Sequence, residues 1–459
     1  MSLSKRNSAM QRKRVQDVAL KAGAVAMALL FVLASALSVH AQASKTQQSQ
    51  QILSPVGETS EHDQFGTAVA ISRNGNTMVI GSETADGNVV AAGAAYIFDK
   101  MGGSTWVQTA KVFAADGAAL PAPGRPGEFQ SDSFGLTVAI SEDGNTVIAG
   151  APNHNHRTGI PGGDQGAVYV FQRTDGVWNQ QAELLSPNPN LSDNFGNQSD
   201  FGGIAISGNT IVVTDQGNIG SGLGASVDVF VKVNGVWTLS TQLSVADDPN
   251  FLPSSIAFDG RTLVVGSDIS DASSAFSAGA VYVFQFNEGQ WSAPVTLTAA
   301  DATSFGTFGY NVSLSGNLIV VGAAFGPGTT AQSGAAYVFT RDEEGWSQKA
   351  KLIASDGLDF DNFGVSVSVS GQTALVGAQN HTPSVSGAFG AGATYVFRPN
   401  DEGIWQQIVE LSASDAISGG TFGSAVAMLN NTLLVGASAQ HPPVEGYPGG
   451  EAYVYRLNP

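Results

Sequence analysis

Cysteine is absent from this 459-residue chain, which excludes thiolate catalysis, zinc knuckles, iron–sulfur centres and disulfide stapling. Charge is scarce as well: Lys, Arg, Asp and Glu make up 13% of residues, about half of the roughly 25% usual in soluble proteins. Basic residues are the scarcer sign, 20 against 38 acidic, giving a formal charge of −18. The basic footprint that nucleic acid requires is therefore missing, and avid binding to anionic membrane surfaces is disfavoured. Helical periodicity is lacking after residue 43, and no Gly-x-Ser-x-Gly elbow, His-Glu-x-x-His pair or phosphate loop occurs. What the chain does have is glycine, 56 residues, and an apolar fraction of 42%, enough to build a core and incompatible with a disordered chain.

The first 43 residues read separately from the rest. Lys5, Arg6, Arg12, Lys13, Arg14 and Lys21 form a basic head, and Ala22 to Val39 is an uncharged apolar run. Val39-His40-Ala41 and Ala41-Gln42-Ala43 place small residues where a signal peptidase needs them, so an export signal over 1–43 is expected, cleaved after Ala41 or Ala43. The alternative is an uncleaved anchor. Without residues 1–41 the chain keeps 14 basic against 37 acidic residues. An exported chain with no cysteine fits a bacterial source better than a small eukaryotic secreted domain. Residues 44–49 read as a linker and 50–459 as a single repeat domain.

One pattern fills that domain. Trp106, Trp178, Trp237, Trp291, Trp346 and Trp405 recur at a mean spacing of about 60 residues, each after a glycine turn. Upstream lies a Tyr-Val-Phe run, as in Ala94 to Phe98, Ala167 to Phe171, Ala335 to Phe339 and Ala393 to Phe397, with a seventh copy at 451–455. Before it stands Thr-x-Val-Val-Gly (77–81, 146–150, 262–266; Leu318 to Gly322), and before that Phe-Gly-x-x-Val at Phe65, Phe134, Phe308, Phe363 and Phe422. Each unit thus holds four short strands, A to D, separated by Gly, Asn, Asp and Pro turns. Strands B and C are almost continuously apolar, so both sheet faces must be covered. Four-stranded antiparallel units that bury each other in sequence describe an all-β propeller. Seven A, B and C strands meet only six Trp-marked D strands, and Gln51-Ile52-Leu53-Ser54-Pro55 matches Glu183-Leu184-Leu185-Ser186-Pro187. The N-terminal segment is therefore expected to supply the last blade's fourth strand, which closes a seven-bladed ring without a free edge.

The Phe-Gly of strand A and the Gly-Ala after strand B (Gly150-Ala151-Pro152, Gly322-Ala323, Gly377-Ala378, Gly436-Ala437) resemble the FG-GAP repeat family, the bacterial secreted relatives of the integrin α-subunit β-propeller. The resemblance covers about residues 50 to 459. Departures occur in blade 3, with Thr214-Asp215 after strand B, Asp228 for the tyrosine and Phe201-Gly202 one residue out of register, and in blade 4, with Leu252-Pro253 for Phe-Gly. The resemblance implies calcium loops between strands A and B, but here those connections are short turns such as Arg73-Asn74-Gly75-Asn76 and Glu142-Asp143-Gly144-Asn145, without oxygen ligands at alternate positions. Calcium sites of that kind do not carry over.

The A–B and C–D connections are tight, whereas the B–C and D–A connections are long, and in a four-stranded meander these two emerge on one face of the disc. Long loops on a rigid scaffold are the usual place for binding. His154, His156, Asp164, His381 and His441 fall there and are the candidate ligand-binding residues. His154-Asn155-His156 with Asp164 has metal-ligand chemistry, but histidines at i and i+2 in a glycine-rich loop lack an element to orient them, so a solvated loop without metal is expected. Asp356, Asp359 and Asp361 could hold calcium, but turn chemistry suffices, as it does for Asp63, Asp132 and Asp193 before other Phe-Gly pairs. No catalytic residues, cofactor or metal are expected.

The functional reading is an exported, non-catalytic binding or adhesion module. It would be secreted, periplasmic or on the cell surface, and monomeric, presenting its long-loop face to a protein or glycan and binding neither nucleic acid nor membrane. A propeller hydrolase or lyase acting on extracellular polysaccharide, or a cell-envelope scaffold, are the alternatives.

Overall fold

Strands B and C read as buried on both faces, and they are: Leu318–Ala323 and Thr373–Ala378 are buried at every position, as are the first five residues of Ala335–Asp342 and Ala393–Pro399. The computed structural model describes residues 46–53, 63–88, 91–103, 105–117, 119–121, 129–154, 165–187, 194–196, 203–217, 224–273, 275–440 and 449–458. The unit Gln48–Leu457 is the propeller; the export-signal expectation over 1–43 lies outside the described residues, as do His156, Asp164 and His441. Among the described residues there is no helix, and hence none long and apolar enough to cross a membrane.

Seven antiparallel sheets follow one another along the chain. Blade 1 is Val69–Ile71, Thr77–Ser82, Ala94–Met101 and Thr105–Val112, and blade 2 is Thr137–Ile140, Thr146–Ala151, Ala167–Thr174 and Val177–Leu184. Blade 3 is Ile204–Ser207, Thr210–Asp215, Ser226–Val233 and Val236–Leu243; blade 4 is Ser255–Phe258, Thr262–Ser267, Ala280–Asn287 and a broken fourth strand, Gln290–Trp291 with Val295–Leu297. Blade 5 is Phe308–Ser315, Leu318–Ala323, Ala335–Asp342 and Gly345–Leu352, and blade 6 is Phe363–Ser370, Thr373–Ala378, Ala393–Pro399 and Trp405–Leu411. Blade 7 joins Ala425–Leu429, Thr432–Ala437 and Glu451–Leu457 to the N-terminal strand Thr46–Leu53. That strand starts at Thr46, so four of the residues read as linker belong to the sheet. Ile52 is buried where Leu184 and Leu352 sit in other blades, as the Leu-Ser-Pro match implied.

The core consists of seven apolar clusters, one at each blade interface. The cluster between blades 7 and 1, which joins Leu434, Ala452 and Val454 to Phe65, Met78 and Tyr96, is built like the others. This equivalence is what makes the ring closed.

The recurrent glycines are explained at the seams. A Cβ on Gly322, in strand B of blade 5, would lie 2.0 Å from the carbonyl oxygen of Gly364, the Phe-Gly glycine of blade 6. Gly81, Gly266, Gly377 and Gly436 face the Phe-Gly glycine of the following blade in the same way. The Phe-Gly phenylalanine then turns inward onto its own blade's tyrosine, as in Phe363–Tyr395 and Phe65–Tyr96, with centroids 5.4 and 5.3 Å apart. Two sequence assignments need correction on this ground. In blade 3 the position is filled by Phe195-Gly196, not Phe201-Gly202: Phe195 is buried and its ring meets Phe230, while the Gly196 N–H bonds the Thr214 carbonyl. In blade 4, Phe251 takes the ring position against Tyr282 at 5.4 Å, so only the glycine is lost. Thr214 in place of glycine and Leu252-Pro253 thus flank the same seam, between blades 3 and 4.

Candidate functional site

The B–C connection is anchored identically in every blade where it is described. Its anchor residue donates its N–H to the carbonyl at the end of strand B and accepts the N–H of the glycine before strand C. Ala85, His154, Ser270, Gly326, His381 and Gln440 hold this position in blades 1, 2, 4, 5, 6 and 7. The backbone fixes the residue and leaves its side chain to vary.

In blade 6 the side chain is His381, only 3% exposed. Its Nδ1 lies 2.8 Å from Asp361 Oδ2, two residues before Phe363, and Asp361 also accepts the Leu358 N–H at 2.7 Å. On the far side, His381 Nε2 is 3.6 Å from Asp356 Oδ2 and 3.8 Å from Glu410 Oε1. Asp356 comes from the D–A connection, and its Oδ1 accepts the Tyr395 hydroxyl at 3.0 Å. Glu410 stands on strand D directly opposite Tyr395. Burial opposes protonation of His381, but the carboxylates of Asp356 and Asp361 outweigh it and raise its pKa to about 9. Burial and then the charge of Asp356 push Glu410 up to about 7.

Blade 2 repeats the arrangement. His154 is buried, with Nδ1 2.9 Å from Asp132 Oδ2 and Nε2 3.8 Å from Asp116, and its ring meets Tyr169 edge-on as that of His381 meets Tyr395. Glu183 lies on strand D opposite Tyr169. Burial lowers the His154 pKa, and the Asp132 hydrogen bond and charge more than reverse this, so it too is raised. In each blade the His, Asp and Glu donor atoms lie within 4.8 Å of one another.

These positions overturn one expectation and reshape two. His154 and His381 are buried anchors, not solvated loop side chains, because a carboxylate some twenty residues away in sequence waits beneath each loop. Asp132 and Asp361 do more than cap a turn, since each orients a histidine. Asp356, Asp359 and Asp361 do not converge on a calcium ion: Asp361 serves His381, Asp356 serves Tyr395, and exposed Asp359 accepts the Gln332 N–H. Asp116, Glu183 and Glu410 were not anticipated from the sequence. A legible signal was available, because Ala-x-Asp recurs two residues after the last apolar position of strand D at Asp116, Asp301, Asp356 and Asp415. Asp301 and Asp415 likewise accept the hydroxyls of Tyr337 and Tyr453, at 2.9 and 2.7 Å.

The long loops also carry apolar side chains outward. Phe276, Phe305, Phe360 and Phe389 are exposed by 60, 62, 57 and 80%. They sit where a B–C connection is tied to the next D–A connection: Phe305 N–H to the Phe276 carbonyl, Phe360 N–H to Gln332, Gly419 N–H to Phe389, each 2.9 Å. These bonds place both long connections on one face. Phe305 and Phe360 have φ of 62° and 68°, a left-handed conformation uncommon for a bulky residue and seen where local strain serves a site. Between blades 3 and 4 the same face opens into a cleft of about 380 Å³ lined by Asp247, Asp248, Asp271 and Tyr282.

The FG-GAP repeat profile matches residues 48–98, 126–171, 291–339, 346–397 and 405–455, more than half of the chain. Four of the five matched segments run from a strand D to the following strand C, the second beginning instead after strand D of blade 1, and the longest unmatched stretch, 172–290, covers strand D of blade 2, blade 3 and most of blade 4, where the signature departs. No curated protein matches the sequence. Among solved structures, the periplasmic gluconolactonase PpgL of Pseudomonas aeruginosa is similar over 77% of this chain and 87% of its own, at 15% identity and a TM-score of 0.46. A likeness at that level carries no argument about activity.

Proposed function

The chain belongs to the FG-GAP repeat family, and from that premise we propose that it is an exported, non-catalytic binding module whose long-loop face engages a protein or glycan. The observation that carries this reading is the set of exposed phenylalanines, Phe276, Phe305, Phe360 and Phe389, on loops held by hydrogen bonds to a rigid ring. Exposed aromatic faces suit stacking on sugar rings or docking into a protein pocket. The large apolar side chains exposed by the short turns of the opposite face are mainly aliphatic, such as Val177 and Val236, and polar side chains there bond within the turn, as Asp143 accepts from the Ser141 hydroxyl and the Asn145 N–H. Export rests on the basic head and apolar run of the first 43 residues, and N-terminal sequencing of secreted or periplasmic protein should return Gln42 or Ser44.

Glycan arrays and affinity capture with the processed protein test the reading. Phe360→Ser with Phe389→Ser should abolish retention, whereas Asp342, Glu343 and Glu344 changed to Ala on the opposite turns should leave it intact. Retention lost only in the turn variants would reverse the assignment of the face. Release of reducing ends from polysaccharide by wild-type protein would instead favour a hydrolase or lyase, for which the raised pKa of Glu410 beside Asp356 offers a proton donor.

A further inference from the structure

We propose that blades 6 and 2 each hold a divalent cation of the zinc type, bound by His381 Nε2, Asp356 and Glu410 in blade 6 and by His154 Nε2, Asp116 and Glu183 in blade 2. The most fully described of these histidines is His381. Its Nδ1 is committed to Asp361 at 2.8 Å, and a carboxylate there can only accept, so Nδ1 keeps its proton and a cation would enter at Nε2, displacing the second proton that the surrounding carboxylates favour. Nε2 is buried and makes no hydrogen bond. It faces two carboxylate oxygens at 3.6 and 3.8 Å, too far for either to accept a proton from it. Three ligands at about 2.0–2.1 Å from a tetrahedral zinc lie about 3.4 Å apart; the two histidine-to-carboxylate distances, 3.6 and 3.8 Å, are close to this, and all three donor atoms lie within 4.8 Å of one another. Asp361 completes the carboxylate–histidine pair that typically orients a metal-bound imidazole. Tyr395, by occupying Asp356 Oδ1, leaves Oδ2 for the ion.

The other blades show what the site is for. Blade 5 has Asp301 and Tyr337 in the same places, but Gly326 stands at the anchor and Lys351 replaces the glutamate, its ammonium 2.5 Å from Asp301. Blade 7 has Gln440 at the anchor and Gln51 on strand D, whose amide donates to Asp415 and Glu451 at 2.8 Å. In those blades a cation or amide of the chain itself satisfies the aspartate. In blades 2 and 6 the strand D residue is acidic, a histidine is added at the anchor, and an aspartate is added behind it. The histidine and the acidic strand D residue occur together in these two blades, whereas the aspartate alone is also present in blade 1 as Asp63, where Ala85 holds the anchor and Lys111 stands on strand D; the paired changes reverse the local charge and supply a nitrogen donor. With three protein ligands, a fourth position is left on the solvent side, where Asp356 is partly exposed.

The test is zinc stoichiometry by equilibrium dialysis and elemental analysis on the full chain after chelation, with cobalt(II) absorption as a second readout of a nitrogen–oxygen tetrahedral site. Two ions per chain are expected, one after Glu410→Lys or Glu183→Lys, and none in the double variant. Lysine is already accommodated at that position in blade 5, so folding should persist. His381→Gln with His154→Gln, a side chain that blade 7 accepts at the anchor, gives the same loss by an independent route. No bound zinc in wild-type protein, or zinc stoichiometry and cobalt spectra unchanged in both sets of variants, would overturn the proposal and leave a buried ion network or adventitious binding to an acidic surface.

Discussion

Alanine at Gly322 should destabilise the ring even though alanine is normally better tolerated than glycine in a strand. Gly322 has no left-handed φ to protect, so in open space the exchange would stabilise by about 0.4–1 kcal/mol through the unfolded chain. Here the added Cβ would stand 2.0 Å from the Gly364 oxygen and 3.0 Å from its carbon, both backbone atoms of the next blade. The two blades must part by more than an ångström or distort, and overpacking of that kind costs about 1–3 kcal/mol. Gly364→Ala adds a φ of +94° and a contact of 2.3 Å with the Ala335 oxygen, and left-handed strain of about 1–2 kcal/mol brings its loss to about 2–5 kcal/mol. Gly436→Ala reproduces the Gly322 clash at the closing seam, 2.0 Å from the Gly66 oxygen, and should cost as much as Gly322→Ala. Urea denaturation followed by tryptophan fluorescence reads all three as shifts in midpoint. A Gly322→Ala protein as stable as wild type would refute the seam argument, and a Gly436→Ala protein that is stabilised while Gly322→Ala is not would refute ring closure.

Asp228, buried in blade 3 where other blades have tyrosine, is raised by burial to about 6 from 3.8 despite bonds from Gln242 and Ser226. A folded pKa above the unfolded one gives stability that is present below about pH 4 and lost as pH rises through 6. At about 1.4 kcal/mol per pH unit that interval amounts to about 3 kcal/mol, so Asp228→Asn, which keeps the acceptor oxygen, should exceed wild type by up to that amount at pH 7.5 and match it at pH 4. Equal stability at both pH values would contradict the assignment. A chain beginning at residue 58 loses the fourth strand of blade 7, including the burial of Ile52, worth about 1.5–3 kcal/mol alone, and bares the edge of Glu451–Leu457. It should melt earlier and aggregate, and an unchanged midpoint would argue for an accessory strand.

The fold was legible because its signature is a packing requirement repeated at five of the seven seams. Glycine at 81, 322 or 436 is demanded by a neighbouring carbonyl, so it recurs at fixed spacing and betrays the seam. Where two Phe-Gly pairs stand six residues apart, Phe195 and Phe201, local pattern cannot choose between them, and only the partner at Thr214 does. The strand from Thr46 was read as linker up to 49 because Thr-Gln-Gln-Ser has no apolar alternation, its partner being the far end of the chain. His154 and His381 were located but misjudged as solvated. What buries them is Asp132 and Asp361, each from a different connection of the blade, and such a pairing is invisible to local periodicity. The charge inversion at Glu183 and Glu410 emerges only once strand D is aligned between blades, opposite each tyrosine.

If the long-loop face is the working face, hydrogen exchange on the partner-bound protein should register it there. Binding should slow exchange in segments 268–279, 303–308, 356–362 and 381–391, which contain the exposed phenylalanines and the anchored loops, while turns 73–76, 142–145 and 342–345 exchange as in the free protein. Protection confined to those turns, with the long loops unchanged, would contradict the account.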